Sequence, residues 1–177
     1  MQYTTKYETP LGSVLLAADE EGLTGLWFDG ARYYAAGLFL EHEEKEIPVF
    51  ETARSWLDLY FSGKEPDFLP PLHMIGSPFR VRVWEIMLQI PYGETMTYNE
   101  LAKQIAKEKG IERMSAQAVG GAVAHNPISV IIPCHRMVGT NGSLTGYAGG
   151  IPRKTALLKL EGARMDRLFV PTKGTAL

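Results

Sequence analysis

Apolar and polar positions alternate over short distances at the start of the chain and recur at three- and four-residue spacing further on. The runs "YTTKYET", "GSVLLAAD" and "LTGLWFD" are β-prone and are separated by "PLG" and "EEG", the pattern of a β-meander. Residues 31–46 fit neither period, and their charged end "EHEEKE" reads as a solvated face. In "PVFETARSWLDLYFSG", Ala53, Trp56, Leu57, Tyr60 and Phe61 fall at helical spacing, and Gly63 marks the stop. The proline-rich, aperiodic stretch "KEPDFLPPLHMIGS" (64–77) has the composition of a connection between domains. A small α/β domain over residues 1–70 is therefore expected, with a second domain over 77–165.

The pattern changes after that connection. In "SPFRVRVWEIMLQI", Ser77 is an N-cap, Pro78 takes the first helical position, and Val83, Trp84, Met87 and Leu88 form the buried stripe. In "TYNELAKQIAKEKG", Thr97 and Glu100 have capping-box spacing and Gly110 is a stop signal. A third helix starts at Ser115 and is built from Ala116, Ala118, Gly120, Gly121, Ala122 and Ala124. Such a helix is intrinsically poor and needs close approach to something. Either it packs tightly on another helix, or it is the second helix of a helix-turn-helix and enters a DNA groove. "ISVIIP" reads as a strand, Asn141-Gly142 as a hairpin turn, and "PRKTALLKLE" as a last helix closed by Gly162.

Charge and composition narrow the function classes. Residues 1–76 carry 5 Lys/Arg against 13 Asp/Glu, whereas residues 77–165 carry 11 against 6. Either the surface is unevenly solvated, or the basic half alone meets a polyanion. No apolar run is long enough to span a membrane, and "MQYTTKYETP" lacks a signal-peptide core. The single cysteine, Cys134, forms no internal disulfide, which favours a reducing compartment, the cytoplasm. One thiol also argues against a structural zinc site.

Cys134 lies in "IIPCHRMVG", directly before His135 and Arg136. A thiol needs a base or a positive charge within reach to become a nucleophile. Neighbours on a regular strand point to opposite faces, so Cys134 and His135 cooperate only if the chain bends or a water bridges them. A base also needs an orienting group. Glu161 stands in the last turn of its helix, where the macrodipole disfavours a carboxylate. Either an imidazole partner offsets this, or Glu161 is a surface residue with a small penalty.

"PCHRMVG", with "GSLTGYAGG" and "RKTALLKLEG" after it and "IPYGETMTYNELA" and "QAVGGAVAHNP" before it, resembles the O6-alkylguanine-DNA alkyltransferases, also called methylated-DNA–protein-cysteine methyltransferases. The resemblance covers residues 77–162. It implies an α+β protein, with a ribonuclease-H-like first domain and a mostly helical, winged-helix-like second domain carrying the helix-turn-helix. It also implies repair by direct transfer of an alkyl group from O6 of a flipped guanine to Cys134, with O4-alkylthymine as a second candidate substrate. His135 would take the thiol proton through a water, Glu161 would orient it, Asn126 would hold the active-site turn, and the Tyr98 phenol would assist the leaving oxygen. Tyr147, Val138, Gly149, Ser129 and Ala148 would form the base pocket. Gln117, Arg113, Ser115, Ala118, Gly121 and Arg136 would face double-stranded DNA, with the small residues admitting a minor groove. A single turnover is expected, by a monomer without cofactor or metal.

Three positions depart from the family pattern. Gln117 stands where many members carry the arginine that fills the gap left by the flipped base, and it lacks that residue's charge and stacking. Arg113, one turn earlier, is a candidate phosphate contact. Ala148 and Ser129 replace the usual Ser and Pro of the pocket, which bears on alkyl size. Two other classes compete with this reading. A damage-binding module without repair activity would have lost the cysteine, and a cysteine hydrolase would leave the basic helix-turn-helix without a purpose. The glycines of 139–150 are not followed by the Lys-Ser/Thr of a phosphate loop.

Overall fold

The alternating runs become strands β1 (Gln2–Thr9), β2 (Gly12–Ala18) and β3 (Leu23–Phe28), each antiparallel to the next, in a computed structural model that describes residues 1–172. A fourth strand, β4 (His42–Glu44), lies parallel to β1, giving the order β3-β2-β1-β4. It falls in the segment without a period. Its three residues are all exposed, as the charge run implied, but they also hydrogen-bond to the sheet edge. Helix α1 (Pro48–Phe61) packs on β1 and β2 with Phe50, Ala53, Trp56, Leu57 and Tyr60 buried. The predicted stripe is largely met, except that Phe61 is only half-buried.

β3 is buried along its whole length. Its outer edge is covered by two short stretches of chain from far along the sequence. Leu23 donates to Pro71 O (2.8 Å) and accepts from His73 N (2.7 Å), while Leu26 donates to Pro127 O (2.8 Å) and accepts from Ser129 N (3.1 Å). Covering an edge strand in this way removes a template for unwanted pairing. The first compact unit accordingly comprises residues 1–75 together with 127–131, and the second comprises 76–126 and 132 onward.

The second unit is mixed but mostly helical, with α2 (Pro78–Met87), β5 (Met96–Thr97), α3 (Tyr98–Lys109), α4 (Ala116–Ala124), β6 (Met137–Val138) and α5 (Ile151–Leu160). The predicted caps form: Ser77 accepts from Arg80 N, Thr97 accepts from Glu100 N, and Gly110 closes α3 in the left-handed conformation (φ 66°). α2, α3 and α4 pack on one another, and the Trp84 indole donates to Ala122 O (2.9 Å). On α2 the buried stripe uses Ile86 rather than Leu88, because Leu88 is the C-cap and is half-buried.

Two predicted elements are not as expected. "ISVIIP" is not a strand. Only Ile128 bridges to Leu26, after which Ile131 N–H turns back to Ser129 O (2.8 Å) with Val130 at φ 71°. That conformation is seldom adopted by a branched residue, so β-branched composition misleads here. Asn141-Gly142 does make a turn, closed by Gly139 N to Ser143 O (2.9 Å), but its arms do not pair as a hairpin. Instead β6 pairs in parallel with β5, and Ser143 bridges to Phe169. Among the described residues no helix is long and apolar enough to cross a membrane.

Candidate active site and nucleic-acid interface

Pro133 sets the local bend that a strand would have denied. It sits at φ −82°, ψ 65°, and Cys134 N–H donates to Ile132 O (2.8 Å), an inverse γ-turn. Cys134, His135 and Arg136 then form one 3₁₀ turn, so three successive side chains fan out instead of alternating. The single proline therefore answers the objection that strand neighbours face apart. Asn126, just after α4, holds this bend with one amide group: its Nδ2 donates to Ile132 O (2.8 Å) and to Cys134 Sγ (3.2 Å).

His135 and Glu161 meet in the interior, Nε2 to Oε2 at 2.6 Å, with both side chains wholly buried. Glu161 is the C-cap of α5, where the helix dipole disfavours a carboxylate. Three donors besides His135 offset this: Arg136 Nε at 2.9 Å, Arg136 Nη2 at 3.1 Å and the Gly93 N–H at 3.1 Å. The Arg136 guanidinium is completed by Ile90 O (2.7 Å) and lies over the Tyr92 ring, 5.8 Å from its centroid. Gly93 adopts φ 80°, and a Cβ there would sit 2.9 Å from Glu161 O, so the turn "PYGE" requires glycine at that place.

These contacts set the protonation states. Burial pushes the Glu161 carboxyl up, but the hydrogen bonds and charges of His135 and Arg136 outweigh it and hold it well below the carboxylate range. Burial drives His135 down and keeps the ring neutral. A neutral ring facing a carboxylate donates from Nε2, which makes Nδ1 its accepting nitrogen. Burial raises the Cys134 thiol, against the lowering effects of Asn126 and Lys154, so the resting group is a thiol.

Tyr98 is the first residue of α3, and its hydroxyl donates to Thr145 O (3.2 Å). Burial holds this phenol well above its usual pKa, so it stays protonated. The buried Tyr147 ring stands edge-on to His135, with centroids 6.4 Å apart and an interplanar angle of 84°. A Cβ on Gly149 would come within 2.6 Å of Tyr147 Cε2, so this glycine makes room for the ring. Val138 is buried in β6, and Ala148 is half-buried in the turn before α5. Ser129 belongs to the first unit, where its N–H is bonded to Leu26 O.

On α4 the face made by Gln117, Ala118 and Gly121 is exposed, while Val119, Ala122 and Val123 point inward. A Cβ added at Gly120 or Gly121 would meet nothing within 4 Å. Tight packing on another helix of the chain is therefore not what these two glycines serve. Ser115 Oγ accepts from Gln117 N (3.1 Å) and Ala118 N (3.3 Å), so its hydroxyl is used as the helix cap. Arg113 is exposed but precedes the helix rather than lying one turn earlier on it. With Asn99, Met114, Ser115, Ala116 and Gln117 it lines a hollow of about 560 Å³.

The first domain profile, described as 6-O-methylguanine DNA methyltransferase, ribonuclease-like domain, matches residues 2–74, and the second, the DNA binding domain of the same enzyme, matches residues 78–163. A methylated-DNA–protein-cysteine methyltransferase of Methanosarcina acetivorans is 42% identical over 163 residues, covering 91% of this chain and 99% of that one. One from Haemophilus influenzae is 40% identical, covering 90% and 86%. The crystal structure of the Mycobacterium tuberculosis protein OGT in complex with DNA superposes with a TM-score of 0.78 at 38% identity, covering 94% of each chain. The chain belongs to the methylated-DNA–protein-cysteine methyltransferase family.

For this member of the methyltransferase family, the structure brings Cys134, Asn126, His135 and Glu161 into one connected cluster, with Tyr147 against His135. It corrects one expectation. Arg136 does not face DNA, because its guanidinium is turned inward and committed to Glu161 and Ile90 O. Sequence reasoning missed Lys154, which is fully buried on α5 and donates to Met137 O and to Thr145 O (2.8 Å). The signal was present: Lys154, Leu157, Leu158 and Glu161 share one helical face at three- and four-residue spacing.

Proposed function

We propose that Cys134 accepts an alkyl group from O6 of guanine in duplex DNA, with His135 as base, Glu161 as its orienting partner and Tyr98 as donor to the leaving guanine. The observation that carries this reading is that His135, which follows the thiol in one 3₁₀ turn, makes a buried pair with Glu161 at the end of α5. The thiol proton passes to His135 Nδ1, directly or through a water, and the resulting imidazolium is stabilised by Glu161. The thiolate forms a bond to the alkyl carbon as the carbon–O6 bond breaks. The electron pair stays with guanine, and the Tyr98 hydroxyl supports that developing charge until the base regains its proton. The products are intact guanine and a thioether. Thioethers resist displacement under these conditions, so each molecule acts once.

Cys134 is almost wholly buried, with 5% of its surface exposed, so a base stacked in a duplex cannot reach it. The target nucleotide must leave the helix, as in other base-modifying proteins. The bare face of α4 supports this reading: with glycine and alanine outermost, the backbone can lie close to the minor groove. In this reading Gln117, exposed on that face, enters the vacated space and hydrogen-bonds the orphan base, but it brings no charge. Tyr147, Val138, Gly149 and Ala148 form the base pocket in this reading, and the protein acts as a monomer.

The test is intact-mass analysis after incubation with a duplex containing O6-methylguanine. One methyl gained on Cys134, and none on Cys134→Ala, is the expected result; DNA binding with no gain in mass would reduce the protein to a damage-binding module. Gln117→Arg should speed transfer about tenfold, the worth of one good charged contact. An unchanged rate would remove Gln117 from the flipping step.

A further inference from the structure

Lys154 is a buried cation that the mechanism above does not use. Its ammonium donates to Met137 O and, at 2.8 Å, to Thr145 O. The same Thr145 carbonyl accepts the Tyr98 hydroxyl at 3.2 Å. One carbonyl thus serves two donors, and the charged one is the closer. A charge-assisted bond is roughly twice as strong as a neutral one, so the phenol is the weaker of the two partners. A carbonyl in a partly buried site pays a desolvation cost when it loses a donor. Without Lys154, turning the Tyr98 hydroxyl toward substrate would take a donor from this carbonyl with no charged donor to hold it. With Lys154 in place, the carbonyl stays bonded whichever way the phenol points. Gly146 clears the ground for that rotation. It adopts φ 84°, and a Cβ there would sit 2.7 Å from the Tyr98 hydroxyl oxygen.

We infer that Lys154 is a positioning residue: it keeps the Thr145 carbonyl satisfied so that the Tyr98 hydroxyl can turn from that carbonyl to the departing guanine. This rests on the assignment of Tyr98 to the leaving base. The ionisable groups around Lys154 are Cys134, His135 and Tyr98. Burial draws its ammonium down to about 8, with Cys134 opposing, so the charge is present at neutral pH and is lost as the solution becomes basic.

The experiment is a double-mutant cycle on the single-turnover rate with an O6-methylguanine duplex, using Lys154→Met, Tyr98→Phe and both together. Lys154→Met alone should slow transfer about tenfold, the worth of one hydrogen bond of ordinary strength. In the Tyr98→Phe background it should change the rate by less than about twofold, since the residue through which it acts is gone. Multiplicative effects would overturn the inference. Alkylation of Cys134 by iodoacetamide, which has no guanine to release, should slow much less than transfer does in Lys154→Met, by only the lysine's lowering effect on the thiol; a matching tenfold loss there would assign Lys154 to the thiol instead. Should Lys154→Met fail to fold, pH replaces it. The wild-type rate should decline above the lysine's pKa of about 8, and Tyr98→Phe should lack that decline; the same decline in both overturns the inference. An undiminished rate in Tyr98→Phe alone would instead refute the role given to Tyr98.

Discussion

The outer face of α4 and the cluster around Glu161 belong to the same unit and are built on opposite principles. The cluster is buried, charged and densely hydrogen-bonded, with Arg136, His135 and the Gly93 N–H all converging on one carboxylate. The α4 face is exposed and uncharged, and its glycines stand in open space. The first arrangement fixes atoms in place for chemistry; the second leaves room for something to come near. The contrast also revises the meaning of the basic second half. Two of its cations, Arg136 and Lys154, are inside and bonded to internal acceptors, whereas others such as Arg113 are exposed.

The sharpest way to break the comparison is Glu161→Ala. Removing one partner of a buried ion pair leaves the other charge stranded, at about 3–5 kcal/mol. We expect that loss in urea denaturation together with near-complete loss of alkyl transfer. A stable but inactive variant would mean that the cluster orients His135 without supporting the fold. Gly121→Leu should behave in the opposite way. Replacing a mid-helix glycine that faces open space stabilises by about 0.5–1 kcal/mol, while the new side chain holds the backbone away from the groove. Duplex affinity should fall about tenfold, or ~1.4 kcal/mol, with Cys134 still reactive toward iodoacetamide. Affinity that is maintained would show that DNA approaches a different face.

The smallest effect concerns pH. His135 is buried with its pKa lowered, so below its ordinary value of about 6.5 the unfolded chain takes up a proton that the folded chain refuses. Stability should therefore decline as pH falls from 7 to 5, with a slope of at most ~1.4 kcal/mol for each pH unit, the limit for one proton. Glu161, held below its ordinary range, adds a second loss in stronger acid, since stability present above about pH 4.3 disappears as the carboxylate is titrated. His135→Gln should remove the first part of the decline and keep the second. Urea midpoints at several pH values decide this, and an unaltered profile would place the titration elsewhere.

How much of this was legible follows from where the determinants lie. Helix caps and stripes are local, so Ser77, Thr97, Gly110 and the α1 stripe can be read directly. The family motif marks Cys134, His135, Asn126 and Glu161. What sequence patterns cannot give are contacts set by tertiary closure. The β-branched "ISVIIP" looks like a strand because local composition does not record that Val130 is forced to positive φ. Arg136 looks like a DNA contact because charge alone does not say which way a side chain turns. β4 escapes notice for the converse reason: its three solvated residues have no apolar side to betray a strand.

The short segment 127–131 has a consequence for how such proteins can be recombined. It is encoded within the second half of the chain but completes the edge of the first unit's sheet through Leu26. A crossover placed in the proline-rich connection therefore separates β3 from part of its own edge. Chimaeras exchanged there inherit a strand from one parent and its cover from another. The transferable module is residues 1–75 together with this five-residue piece, and shuffled libraries that keep the two together should yield more folded members than those cut at the connection alone.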